Sequence, residues 1–251
     1  MKRSLLFLLG VACLFCASSA FAQIDNTQMY FNGGYQGDVW SGGPEGSVAT
    51  GFYDGSINGV NVGPGYQSPG FICDDYYDNI TSGEHWQATG YQVSSLTLSN
   101  IAQDTLFGGA AGWETAFGIN GLQGYTALAY LANLMFTSNP SSSTQSSISQ
   151  ALWYLTSVAT GHAWSLTSLS TQAQGFVSTA LANCNISLSN YAGLYLYTQP
   201  FNPAGPQEMW GQIQVLNVPE GGSALAYLLI AGAACMGAVW QSRRITGARP
   251  A

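Results

Sequence analysis

Between residues 120 and 184 the apolar positions recur every three or four residues. Tyr125, Leu128, Leu131, Ala132 and Met135 fall on one helical face, and Ile148, Ala151, Leu152 and Leu155 on a second. Leu166, Leu169, Ala173, Phe176, Val177, Ala180, Leu181 and Cys184 make a third. The spacing predicts three amphipathic helices. Ser138-Asn139-Pro140 stops the first, and the hydroxyls from Ser141 to Thr144 offer N-caps for the second, so a packed helical hairpin is expected.

Residues 23 to about 119 follow a different rhythm, with short aromatic or β-branched stretches separated by turns such as Ser41-Gly42-Gly43-Pro44, Ile57-Asn58-Gly59 and Val62-Gly63-Pro64-Gly65. That punctuation predicts antiparallel strands, the best being Gly70–Cys73 and Trp86–Val93. Strand character returns at Leu194–Thr198 and Gln212–Leu216. The expected fold class is therefore α+β: an antiparallel β sandwich or barrel-like region, a helical section, and closing strands that rejoin the sheet. Residues 23–217 read as one body without internal repeats.

The two ends have their own patterns. Lys2 and Arg3 precede an apolar run from Leu5 to Cys16, then small residues ending at Ala22, which is the layout of a signal peptide over residues 1–22, cut before Gln23. A retained N-terminal anchor is the alternative. At the far end Val218-Pro219-Glu220 leads into residues 223–240, an uncharged stretch that as a helix spans roughly 27 Å and suits a transmembrane segment. Arg243 and Arg244 follow, favouring a cytoplasmic tail at 245–251.

This order of short Val-Pro-Glu motif, apolar helix and basic end resembles the PEP-CTERM sorting signal of Gram-negative bacteria, here over residues 218–244, with Gly221 where a second proline is usual. The resemblance implies an exosortase-type sorting enzyme as partner, an inner-membrane-anchored intermediate held by the C-terminal helix, and delivery to the cell surface or beyond. A plain membrane anchor is the alternative.

Charge narrows the function further. The chain carries 12 acids against 5 bases, net −7, and every Lys and Arg lies outside residues 4–242. Nothing in the body can neutralise a phosphate backbone, so nucleic acid is excluded as a partner.

Cys73 and Cys184 are the thiols of the exported body, and an exported pair suggests either a disulfide or two free thiols. The segment Phe71-Ile72-Cys73-Asp74-Asp75-Tyr76, with Ile148-Ser149-Gln150-Ala151-Leu152-Trp153 further on, resembles the bacterial thioester domains. In that family a cysteine thiolate attacks a glutamine side-chain amide, ammonia leaves, and the thioester is opened by a partner's amine. The resemblance makes Cys73 with Gln150 or Gln145 the thioester candidates. The position matching the family's glutamine is Ser149, and Gln150 is turned from it by about 100° on a helix.

Asp74, Asp75 and Asp78 offer hard oxygen ligands for calcium, or else form a solvated acidic turn. No other cofactor is indicated. Hydrolase and phosphate-loop signatures are absent from the sequence, so a non-enzymatic surface or matrix protein, adhesive or structural, is expected, with exopolysaccharide or surface proteins as partners. A covalent adhesin and a carbohydrate-binding or carbohydrate-active protein are the alternatives.

Overall fold

A computed structural model describes residues 23–44, 46–66, 68–78, 80–199 and 207–212. The expected signal peptide at 1–22, the expected sorting residues Val218, Pro219, Glu220, Arg243 and Arg244, the expected transmembrane segment 223–240 and the expected tail lie outside the described residues, as does most of the expected strand at 212–216. Among the described residues no helix is long and apolar enough to cross a membrane.

The molecule is α+β, and its sheet closes into a six-stranded antiparallel barrel. Around it run β1 (Gln23–Tyr35), β7 (His85–Gln92), β8 (Tyr195–Thr198), β9 (Met209–Gly211), β6 (Phe71–Cys73) and β4 (Tyr53–Ile57), which pairs back onto β1. Closure depends on the long first strand. β1 pairs β7 through Gln23–Tyr30 and β4 through Met29–Tyr35, with register shifts after Ile24 and Phe31 that let one strand bend between two neighbours. β5 (Val60–Val62) folds onto β4 through Asn58-Gly59, whose φ values of 51° and 76° are those of a type I′ turn.

Alternation along the strands sorts the side chains. Phe71, Cys73, Tyr195, Tyr197 and Met209 pack with Met29, Tyr53, Ile57 and Trp86 in the barrel lining. The residues between them, Ile72, Leu196 and Trp210, join a second core formed with the helices.

Those helices are α1 (Leu98–Asp104), α2 (Gly112–Phe117), α3 (Gly121–Ser138), α4 (Ser142–Ala159) and α5 (Thr171–Ala182). α3 begins with a reciprocal cap: Asn120 Oδ1 accepts from Gln123 N at 3.0 Å, and Gln123 Oε1 accepts from Asn120 N at 2.9 Å. It ends at Asn139, which takes a left-handed φ of 43° before Pro140. α4 packs against α2, α3 and α5. Because it is surrounded, even Ser149, Gln150 and Thr156 are buried along with Ile148, Leu152 and Leu155.

α1 and α2 fall inside the region whose pattern predicts strands and turns. Each buries a single large residue, Ile101 in α1 and Trp113 in α2, which is too little for a helical period to show. β2 (Val39–Gly43) and β3 (Gly46–Ala49) form a separate two-stranded sheet. Trp40 anchors this hairpin by stacking on Trp164 at 5.6 Å between ring centroids and leaning on Tyr76 at 6.0 Å.

Candidate functional site

The chain leaves β6 through Cys73-Asp74-Asp75, and α4 clasps that exit. Trp153 Nε1 donates to the Cys73 carbonyl at 3.1 Å, and Thr156 Oγ1 donates to the Asp74 carbonyl at 2.6 Å. One turn earlier Ser149 Oγ accepts from Gly51 N at 2.9 Å. Gly51 has φ +85°, and a Cβ there would strike the Gly37 backbone as well as the Gln145 side-chain amide oxygen, so glycine is required on both counts.

Cys73 is buried, donating from Sγ to the Asp75 carbonyl at 2.9 Å and accepting from Asp75 N at 3.2 Å. Burial pushes its thiol well up, and the Asp75 and Asp74 carboxyls push the same way. A thiol held protonated is a weak nucleophile. Both Cys73 and Cys184 are free, and they belong to different clusters, Cys73 to the barrel lining and Cys184 to the helical core.

The two glutamine candidates face different ways. Gln150 is taken up on the α5 side, its Oε1 accepting from Ser170 N at 3.1 Å and its Nε2 donating to Ser146 at 3.3 Å. Gln145 lies one turn before Ser149 on the face that meets Gly51. Its Nε2 donates to the Pro140 carbonyl at 3.1 Å, while its buried Oε1 has no hydrogen-bond partner.

The three aspartates also divide. Asp75 Oδ1 accepts from Tyr77 N at 3.0 Å and Asp78 N at 3.3 Å, closing a turn in which the Asp75 and Asp78 carboxyls share a hydrogen bond. Burial first, then the Asp78 charge, raise the Asp75 carboxyl to about 7. Asp74 points the other way. Among the described residues no group of three or more His, Cys, Asp or Glu is placed to hold a metal ion.

Asp74 meets Glu208, the residue before β9, in the most unusual constellation of the molecule. The two are 0% and 1% exposed, and their carboxyls adjoin, with no Lys or Arg among the described residues to pair them. Trp210 Nε1 donates to Asp74 Oδ2 at 2.6 Å. Tyr125 OH, from α3, donates to Glu208 Oε1 at 2.6 Å, and Leu106 N donates to Oε2 at 3.0 Å.

Burial raises both carboxyls, Asp74 well above the ordinary range, with the Glu208 charge adding to its shift. The donors around Glu208 oppose its rise. Asp74 Oδ2 accepts from the indole, while its buried Oδ1 has no hydrogen-bond partner among the described residues. Two carboxyls buried together without a counter-charge favour the protonated state.

Sequence reading singled out Asp74 but missed Glu208, Tyr125 as its donor, and Trp210. The available signal was an acid set directly against an apolar strand, Glu208-Met209-Trp210, in a body with no cation to pair it. Comparison with family models, curated proteins and solved structures gives no match for this chain.

Proposed function

We propose that this chain is an exported, non-enzymatic cell-surface or extracellular-matrix protein with an adhesive or structural role, sorted by an exosortase-type enzyme. The observation that carries the non-enzymatic part is the sealing of its reactive groups. Asp74, Glu208, Tyr125 and Cys73 are each at most 1% exposed, and their polar groups are bonded inside the fold: Tyr125 to Glu208, Trp210 to Asp74, and the Cys73 thiol to the Asp75 backbone. Groups with such shifted chemistry usually mark an active site, but a substrate would need to reach them. The exported part is supported by the arrangement of the ends and by a body that keeps every cation outside residues 4–242.

Protease treatment of intact host cells tests this reading. Loss of the body from intact cells, with a cytosolic marker untouched, is the expected result; protection until lysis contradicts it. Deleting residues 218–251 should leave the body soluble in the periplasm, detached from the inner membrane and absent from the surface.

A second reading, the covalent adhesin, is favoured at one point only, the unpartnered buried carbonyl of Gln145. Methylamine incorporation at Gln145, with one ammonia lost from the intact mass beforehand, would support it. An unreactive protein with a free Cys73 thiol would end it.

A further inference from the structure

We propose that the cleft between the start of α3 and residues 184–189 is a binding site for a small, uncharged, polyhydroxylated ligand of the monosaccharide class. The cleft opens to solvent, has a volume of about 360 Å³ and is bounded by Ser94 and Leu96, by Leu122, Gln123 and Thr126 of α3, and by the chain from Cys184 to Ser189. That volume is in the range of small-molecule sites, which pair apolar walls with a few placed polar groups.

The chemistry of the walls selects the ligand. No residue lining the cleft carries a formal charge, so an ionic ligand would be stripped of water with no counter-charge to meet it. Anions face a further penalty from a body that is acidic and free of Lys and Arg over residues 4–242. Hydroxyls and amides at Ser94, Asn185 and Ser189 stand among apolar surfaces from Leu96, Leu122 and Ile186. A pyranose has the same character, with hydroxyls at its edge and C–H groups on its faces.

Part of the polar capacity is unspent. The Ser94 hydroxyl has no hydrogen-bond partner among the described residues, and neither has the Asn185 amide nitrogen. The Asn185 carbonyl is held by Gln123 Nε2 at 2.7 Å. Gln123 is in turn fixed by the α3 cap, its Oε1 accepting from Asn120 N at 2.9 Å. The wall is therefore set before any ligand arrives, which lowers the ordering cost of binding. This inference stands independently of the exported reading, because it uses only the cleft.

Cys184, in the wall of the cleft, is a built-in reporter, whereas Cys73 lines the barrel. The test follows N-ethylmaleimide alkylation of each thiol by peptide mass spectrometry, alongside saturation-transfer NMR with methyl glucoside, methyl galactoside and N-acetylglucosamine. Glucuronate and hexanol serve as the charged and aliphatic comparisons.

Cys184 should react faster than Cys73. At least one neutral saccharide should receive saturation transfer and, at twice its Kd, slow Cys184 alkylation about threefold. Ser94→Trp and the more exposed Ser189→Trp should abolish both effects while keeping the wild-type circular dichroism. Absence of both effects for all three saccharides overturns the proposal, as does equal protection by glucuronate or hexanol. Cys184 reacting no faster than Cys73 overturns the cleft itself.

Discussion

At the scale of single residues, buried carboxyls stand without counter-ions. With no Lys or Arg over residues 4–242, Asp74 and Glu208 are buried side by side and accept from Trp210, Tyr125 and the Leu106 amide. Removing one donor leaves a buried acceptor unsatisfied, so Tyr125→Phe should lower stability by about 1–3 kcal/mol in urea denaturation. The pH dependence follows with a definite sign. Folding raises the Asp74, Asp75 and Glu208 carboxyls above their unfolded values, so the folded form favours the protonated state. That contribution is complete below about pH 4 and fades as pH climbs through the folded-state values. For Asp75 the value is about 7. The melting temperature should therefore be higher at pH 5 than at pH 8.5. Asp75→Asn, which keeps the turn acceptor but cannot titrate, should reduce that difference. A melting temperature that rises from pH 5 to pH 8.5 would show that the buried carboxyls are not protonated. In sequence Asp74, Asp75 and Asp78 read as one set of oxygen ligands or as an acidic turn. Asp75 and Asp78 do share a turn, but the backbone points the Asp74 carboxyl the other way, toward Glu208, and adjacency in a chain carries no information about that.

At the scale of elements, α4 ties the helical layer to the sheet. It meets α2, α3 and α5 and clasps the exit of β6 through Trp153 and Thr156. Leu152→Ala, at a position with 0% exposure, should cost about 2–5 kcal/mol in chemical denaturation. A loss below about 1 kcal/mol would mean that the helix is less tightly surrounded than described. The long helices were legible because their apolar residues repeat over several turns, and the Asn58-Gly59 hairpin because its turn chemistry is local. The third helix is shorter than its apolar pattern predicts, since Leu166 lies in a separate 3-10 turn, Leu169 is extended, and α5 begins only at Thr171 behind its Ser170 cap and ends before Cys184. The depth of α4 was not legible: its buried Ser149, Gln150 and Thr156 look like a solvent face in sequence. Sheet closure was equally hidden, since it depends on β1 bending between two partners.

At the scale of the whole molecule, a barrel braced by helices belongs to a chain whose two ends have the pattern expected of export signals. The barrel and helices define a scaffold whose polar interior is closed, and the chain's cations are confined to the segments that would meet the membrane machinery. The central claim is that residues 23–217 work outside the cytoplasm. N-terminal sequencing of the protein recovered from fractionated host cells tests it most directly. The account predicts a chain beginning at Gln23 in the extracytoplasmic fractions. A full-length chain still carrying Lys2 and Arg3 in the cytosolic fraction would contradict it.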